Sequence, residues 1–262
     1  MNGGSLRLRF DVSADTYEAR ASVQNTVAER LIAWLPAPET VRRVLEVGCG
    51  TGLLTRRLAA RYPGARVEAL DHSPRMVEAA RRLCPGVSWH ATDLLAFDGG
   101  ARYDLIASNC SLHWIDPLED GFRKLRGLLA PGGRLVFSIM LDGTLGELRA
   151  VRMQAVPSKP PAGRLPTASE TQDSLTSSGW TIADWREESL EEHHPSARDF
   201  LCHIHELGLT GGAVSRAALP LTRGELAGVS REYDHRYPDG GGVKATYTVA
   251  YVSAAGAGRP PS

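Results

Sequence analysis

The spacing of apolar residues predicts a helix near the start of the chain. Val23, Val27 and Leu31 recur on one helical face within residues 16–35, and prolines follow at once. The regular alternation of strands and helices begins only after these prolines. The pattern therefore predicts a helix that stands in front of the main fold.

Beyond position 40, strand-like runs alternate with helical runs. This alternation predicts βαβ units, a parallel sheet and helices on both of its faces. Predicted strands cover residues 43–47, 66–71, 87–92, 103–108 and 134–140, and predicted helices cover residues 52–61, 74–83 and 118–129. Pro131, Gly132 and Gly133 are expected to break the chain between the last helix and the last of these strands.

The pattern weakens after position 140. It favours helices over residues 145–156, 169–178 and 196–207, strands over 180–187 and 244–252, and a proline-rich connection over 157–166. We therefore divide the chain into four parts. They are a helical lid (1–38), a cofactor-binding core (39–142), a helical insertion with the closing strands of the same domain (143–254) and a flexible tail (255–262).

Composition excludes several classes of function. Thirty basic residues balance 30 acidic ones, so no overall field favours nucleic acid or an anionic membrane. No apolar run approaches the ~20 residues of a membrane span, and the four cysteines form no CxxC pair, so we expect a cytoplasmic protein. His193-His194 and His203-x-His205 lack metal-ligand spacing, so we predict no metal site and interpret them as solvated or helix-face histidines.

The strongest motif is VLEVGCGTG, which ends a buried strand and opens a helix. Gly48, Gly50 and Gly52 lack Cβ atoms and let backbone amides approach a ligand closely. The spacing is GxGxG with Glu46 before it, which differs from the GxGxxG of nicotinamide-binding folds. This pattern is typical of class I methyltransferases, whose ligand has no pyrophosphate to cradle.

Polar residues lie at or just after the ends of the next three predicted strands. Asp71 is expected to accept hydrogen bonds from the two ribose hydroxyls of the cofactor. Asp93 and Leu94 are expected to hold the adenine, and Asn109 to support the methionine end. The alternative for Asp93 and Asn109 is an Asx turn or a helix cap.

Several further segments add a family resemblance that spans nearly the whole chain. They are Phe10-Asp11 with Ala14-Asp15-Thr16-Tyr17 and Gln24, LDHSPRM from Leu70 to Met76, SNCSLHW from Ser108 to Trp114, LAPGGRLVFS from Leu129 to Ser138, and Gly143-Thr144-Leu145 with Glu147-Leu148. With the glycine loop, they resemble the malonyl-acyl carrier protein O-methyltransferase family of biotin synthesis.

The resemblance implies an α/β fold of the class I methyltransferase, Rossmann-like type. It implies a mostly parallel seven-stranded sheet, an N-terminal helical lid and a helical insertion after the fifth strand. The implied cofactor is S-adenosyl-L-methionine, and Cys49, His72 and Met76 join its expected binding residues. The implied substrate is malonyl-acyl carrier protein or malonyl-CoA, and we take a monomer as the default.

The implied chemistry needs no general base. A malonyl carboxylate, with a pKa of about 4, is already ionised at neutral pH. The protein then has to align the reacting atoms in a dry pocket and face the carboxylate with hydrogen-bond donors. Tyr17 and His113 are the predicted catalytic residues, and with Trp114 they are expected to contact the substrate. Core packing is the alternative role for these three side chains.

The resemblance leaves other acceptors open. Trans-aconitate methyltransferases share the SN...HW segment, and His205 stands where the carrier-protein family tends to have lysine. Two further alternatives are a methyltransferase-like binding protein without catalysis and a methyltransferase for nucleic acid or a quinone precursor. The latter has neither a basic stripe nor an NPPY-like motif to support it.

Overall fold

In this computed structural model, the described residues are 3–161, 163–209 and 220–256. The chain begins with helices α1 (Gly3–Arg20) and α2 (Ser22–Leu31). The prediction of one helix over residues 16–35 was wrong, because Ala21 leaves the helical conformation (φ −82°, ψ 46°) and divides the segment. Helix α1 has no continuous apolar stripe, and its described side chains bury little beyond Phe10 and Ala14. The pattern of apolar residues in the sequence therefore did not predict this helix.

Within the described residues, eight strands form one sheet. They are β1 (Arg43–Val47), β2 (Arg66–Asp71), β3 (Ser88–Ala91), β4 (Tyr103–Ser108), β5 (Leu129–Met140), β6 (Trp180–His194), β7 (Pro238–Asp239) and β8 (Gly242–Gly256). The order is β3-β2-β1-β4-β5-β8-β6, and β7 pairs with β8 outside this path. Strands β1 to β5 pair in parallel, and β8 runs antiparallel to β5, β6 and β7. The mostly parallel α/β fold is confirmed, and the short β7 adds an eighth strand to the seven expected.

The other helices are α3 (Leu53–Arg61), α4 (Pro74–Leu83), α5 (Leu118–Leu128), α6 (Gly146–Ala155), α7 (Ala168–Ser177), α8 (Ala197–Glu206) and α9 (Arg223–Arg236). Helices α3 to α5 each connect two parallel strands, α6 and α7 lie between β5 and β6 in the chain, and α8 and α9 lie between β6 and β7. Neighbouring residues of a strand point into different cores. Val44 packs with Leu54 and Leu58 of α3, whereas Leu45 packs with Phe122 and Leu125 of α5. Both faces of the sheet are therefore covered, as a parallel sheet requires.

Strand β5 begins earlier than predicted. Pro131, Gly132 and Gly133 do not break the chain but lie within the strand, where the register with β4 shifts between Tyr103 and Leu105. A Cβ on Gly133 would stand 2.8 Å from the carbonyl oxygen of Tyr103. Glycine here lets the backbones approach at the bulge, so the strand continues through it.

The last two long strands also exceed their predicted lengths. Strand β6 runs to His194, seven residues past the expected end, and pairs with β8 along almost its whole length. Strand β8 includes Ala255 and Gly256, the first two residues of the predicted tail, while residues 257–262 lie outside the described part of the chain. In the described ranges, we find no helix that is both long and apolar enough to span a bilayer.

Candidate cofactor and substrate site

The glycine loop turns sharply at the end of β1. Gly48, Gly50 and Gly52 have φ values of +71°, +51° and +89°, which glycine adopts without a steric penalty. A Cβ on Gly48 would stand 1.7 Å from Oγ of Ser111. The loop therefore needs glycine both for its backbone conformation and for its contact with the chain after β4.

Asp71 ties the loop to the end of β2. Its Oδ2 accepts a 2.9 Å hydrogen bond from the amide of Gly50, and its Oδ1 accepts one of 2.9 Å from the amide of Ser73. Nδ1 of His72 lies 3.3 Å from Oδ1. We call the loop 48–52, Asp71 and residues 109–114 the rim, because they meet at the carboxyl ends of adjacent parallel strands, where open α/β sheets bind ligands.

Glu46 is an acidic group buried beneath this rim. Its side chain is 1% exposed, and Oε2 has no hydrogen-bond partner among the described residues. Burial raises its pKa to about 8, so the carboxyl is mostly protonated at neutral pH. Cys49, which lies between Gly48 and Gly50 in the loop, is also buried, and burial raises the pKa of its thiol well above the ordinary value. An unsatisfied acceptor at this depth invites a cationic or hydrogen-bond-donating ligand group.

Helix α1 lies over the rim. The Tyr17 ring is 3.8 Å from where a Cβ on Gly50 would stand. Burial, with Cys110, Asp71 and Glu18 nearby, raises the pKa of the Tyr17 phenol far above its ordinary value. The phenol is thus a neutral group at this site, able to donate a hydrogen bond.

Aromatic rings continue this cover towards residue 114. Phe10 makes edge-to-face contacts with His72 at 5.8 Å and with Trp114 at 5.7 Å, and it packs with the buried Met76. His113 lies 4.9 Å from Trp114 between ring centroids. Tyr17, His72, Met76, His113 and Trp114, which the sequence placed at one site, therefore lie around α1 and the rim.

His113 is neutral in this environment. Burial lowers its pKa to about 3, and Nδ1 is buried without a partner in the described structure. A neutral imidazole offers one donor and one acceptor and no charge. The ring is therefore suited to hydrogen bonding and packing.

Asn109 is held firmly by the protein itself. Its Nδ2 donates a 3.0 Å hydrogen bond to the carbonyl oxygen of Gln24 in α2, and its Oδ1 accepts one of 2.9 Å from Oγ of Ser138. Cys110 follows in the left-handed region (φ +49°), with its amide on the Ser138 hydroxyl at 3.0 Å. The amide of Asn109 thus joins α2 to the sheet, and its predicted contact with the cofactor stays a prediction.

Asp93 and Leu94 come shortly after β3, the strand next to β2 in the sheet. Asp93 is exposed, and its Oδ1 accepts a 2.8 Å hydrogen bond from the amide of Leu95, as in the Asx turn that was the alternative. Leu94 is 4% exposed and packs in the core with Phe97. Burial lowers the pKa of His72, but the nearby carboxylates, Asp93 included, raise it overall. The adenine role of Asp93 and Leu94 stays a prediction.

A second polar cluster lies away from the rim. Oε2 of Glu192 stands 3.3 Å from Nε2 of both His194 and His203, and the Tyr247 hydroxyl donates to it at 3.2 Å. The Ser22 hydroxyl binds the other oxygen. His194 and His203 are therefore buried beside Glu192. The interpretation of His194 as a solvated or helix-face residue was wrong, because it is buried at the end of β6, whereas His203 does lie on helix α8. In the fold, α8 packs against β6 and brings His194 and His203 together. The spacing of these residues in the sequence does not reveal this contact.

Comparisons with known proteins agree with this geometry. A family model described as a methyltransferase domain matches residues 45–135. A malonyl-[acyl-carrier protein] O-methyltransferase from Geobacter sulfurreducens is 34% identical over 262 residues, covering 94% of this chain and 96% of the relative. The chain belongs to the malonyl-[acyl-carrier protein] O-methyltransferase family.

One further relative in sequence and one solved structure also cover most of this chain. A malonyl-[acyl-carrier protein] O-methyltransferase from Halorhodospira halophila is 32% identical and covers 98% of this chain and 88% of the relative. The YcgJ protein from Bacillus subtilis shares the fold with a TM-score of 0.64 at 13% identity, over 89% of this chain and 99% of that one. The class I methyltransferase fold expected from the sequence is confirmed.

Proposed function

We propose that this protein is an S-adenosyl-L-methionine-dependent carboxyl O-methyltransferase that converts malonyl-acyl carrier protein to its methyl ester at the start of biotin synthesis. The observation that carries the proposal is the bridge between the Gly50 amide and Asp71, which sets a carboxylate beside a loop without Cβ atoms. The family membership of the chain supports the choice of reaction and substrate.

The residues at the rim fit this cofactor. Asp71 keeps unused lone pairs for ribose hydroxyls, because each carboxylate oxygen can accept about two hydrogen bonds. The orphaned Oε2 of Glu46 matches the need of the methionine ammonium for an acceptor. Gly48 and Gly50 leave the space that Cβ atoms would fill. When bound, S-adenosyl-L-methionine supplies an activated methyl group on its sulfonium.

The chain's own residues then have to orient the acceptor and exclude water. The malonyl carboxylate is ionised, so no group has to remove a proton from it. We propose that the Tyr17 hydroxyl and a ring N–H of His113 offset its desolvation by donating hydrogen bonds, and that Trp114 packs against the acyl group. Phe10 and Trp114 form the apolar wall that keeps water from the reacting atoms.

A methyl-transfer assay with matched acceptors tests the proposal. Purified protein is incubated with methyl-labelled cofactor and either malonyl-acyl carrier protein, malonyl-CoA or trans-aconitate, and base-labile methyl ester is counted. We expect the carrier-protein substrate to give the highest kcat/KM, with no product from succinyl or acetyl carrier protein. Preferential methylation of trans-aconitate would contradict the proposed substrate. Absence of any cofactor binding would contradict the proposed function as a whole.

The remaining expectations are part of the same proposal. The carrier substrate and the free thiols of Cys49, Cys84, Cys110 and Cys202 favour the cytoplasm. We further propose that the protein acts as a monomer, without nucleic acid, membrane or metal. Sedimentation at working concentration, with and without carrier protein, would test the oligomeric state.

A further inference from the structure

Helix α1 is fastened to the glycine loop by one of its carboxylates. Oε2 of Glu18 accepts a 2.6 Å hydrogen bond from the hydroxyl of Thr51, a buried residue between Gly50 and Gly52. The other oxygen of Glu18 pairs with the guanidinium of Arg56 in α3. The residue next to Tyr17 is thus bound directly to the loop that Tyr17 covers.

A second carboxylate fastens α1 beside Asp71. Oδ1 of Asp11 accepts a 2.6 Å hydrogen bond from the hydroxyl of Ser73 and lies 3.4 Å from the amide of Arg75. The amide of Ser73 in turn donates to Asp71. Ser73 therefore connects Asp11 to Asp71, the proposed ribose-binding carboxylate, through one hydrogen bond to each.

The two fastenings share one face of α1. Asp11 and Glu18 are seven residues apart, which is two helical turns and about 10 Å along the axis. Glu18 contacts the loop after β1 and Asp11 contacts the turn after β2, so α1 crosses the rim between these two contacts. Phe10 and Tyr17, each next to an anchor, face the rim from the same helix.

We propose that Asp11 and Glu18 are positioning residues that hold α1 closed over the rim, and that breaking their contacts opens the path by which the cofactor enters and its demethylated product leaves. The inference rests on the proposed function, because it takes the rim as the cofactor site. Neither carboxylate contacts the substrate in this scheme. They act through Tyr17 and through the cover that α1 provides.

Asp11 and Glu18 are exposed enough to allow α1 to open and close during each turnover. The side chains of Asp11 and Glu18 are 19% and 42% exposed, so water can replace the lost partners when α1 lifts. Each contact should then shift the open population by about fivefold, the effect of one ordinary hydrogen bond. Lid opening of this kind often limits turnover.

Exchange kinetics of S-adenosylhomocysteine test the inference. The variants are Asp11→Ala, Glu18→Ala and the double variant, with Glu78→Ala as control, because Glu78 pairs with Arg82 inside α4. Stopped-flow mixing gives the association rate, and chase with unlabelled ligand gives the dissociation rate. We expect both rates to rise together, about fivefold for each single variant and more for the double variant, while the Kd changes less than twofold.

The pattern of the two rates separates a lid from a simple binding contact. A lost binding contact would raise only the dissociation rate and would weaken the Kd in proportion, which would overturn the inference. Unchanged rates in the double variant would overturn it as well. If the wild-type protein failed to bind S-adenosylhomocysteine at all, the proposed function itself would fail. Circular dichroism of each variant checks that α1 and the fold are retained. Asp11→Asn with Glu18→Gln serves as a conservative second pair, whose amide oxygens can still accept from Ser73 and Thr51 and which should change the rates less.

Discussion

The amide of Gly50 donates a 2.9 Å hydrogen bond to Oδ2 of Asp71. Twenty-one residues separate the two in the chain, and the parallel pairing of β1 with β2 brings them together. The bond orients the carboxylate across the loop before any ligand arrives. Preorganisation of this kind lowers the cost of binding.

Removal of the Asp71 carboxylate should therefore weaken the cofactor more than it weakens the fold. We expect Asp71→Ala to raise the Kd of S-adenosylhomocysteine about 10- to 100-fold, measured by calorimetry, since a charged hydrogen-bond acceptor is lost. Asp104→Ala is the matched control. Its Oδ2 also accepts from two backbone amides, those of Arg42 and Arg43, but it lies at the opposite end of the sheet. Equal losses of affinity in both variants would contradict the role of Asp71.

The raised pKa of Glu46 predicts a pH-dependent affinity. Below about pH 8 the buried carboxyl carries a proton that must leave before it can pair with an ammonium group. The affinity for S-adenosylhomocysteine should thus rise with pH by up to about tenfold per unit between pH 6 and 8, and then level off. Calorimetry in buffers of different ionisation enthalpy should detect proton release on binding. Glu46→Gln should bind more weakly and without this slope, and an unchanged slope in this variant would assign it to another group.

The neutral state of His113 predicts a flat pH response. Its pKa, lowered to about 3 by burial, lies below the working range, so the ring should not change its charge between pH 5.5 and 8. We expect His113→Asn to reduce kcat by about fivefold, through the loss of one hydrogen bond, while the shape of the kcat–pH profile stays that of the wild type. An acidic limb that is present in the wild type and absent from His113→Asn would show that the ring titrates during catalysis.

The Glu192 cluster predicts a stability effect away from the site. Burial raises the pKa of Glu192, but its contacts with His194, His203 and Ser22 hold it below the ordinary value overall. A lowered carboxyl pKa stabilises the fold above the carboxyl range, and this contribution is lost as the pH falls below about 4.5. At pH 7, Glu192→Gln should reduce the free energy of unfolding by about 2 kcal/mol in urea titrations, because the buried groups around it lose a charged hydrogen-bond acceptor.

Glu191 provides the control for this measurement. It is the neighbouring residue of β6, and its pair with Lys244 is exposed on the surface. Glu191→Gln should change the free energy of unfolding by about 0.5 kcal/mol or less, because solvent screens such pairs. Similar losses for the two variants would mean that the partners of Glu192 add nothing beyond a surface pair.

Local signals explain what the sequence could predict. The turn at Gly48, Gly50 and Gly52 needs residues without Cβ, and Asp71 is the last residue of a short strand, so both can be recognised from neighbouring residues. Strands β1, β2 and β4 were predicted with their observed bounds for the same reason. The core of the fold and the inner part of the rim were therefore accessible from the chain alone.

Long-range contacts account for most of what was missed. Asp11 and Glu18 gain their meaning only when α1 packs on the turns after β1 and β2, although their seven-residue spacing was a usable sign. Helix α9 was not predicted, because it buries few residues. Its capping box at Thr222 and Glu225 was the available signal. Likewise, the partners of Asn109 come from α2 and β5, far away in the chain.

Strand β6 ends the order of strands on one side, and in the described ranges it pairs only with β8. An unpaired strand edge of 15 residues is a template for unwanted association between molecules. The acidic residues Glu188 and Glu191 of β6 are held in ion pairs with Arg30 and Lys244, so charged groups of both signs lie along the strand. Charged side chains along an edge strand disfavour pairing with another sheet edge, so we expect the charged groups of β6 to oppose association of two copies through this edge.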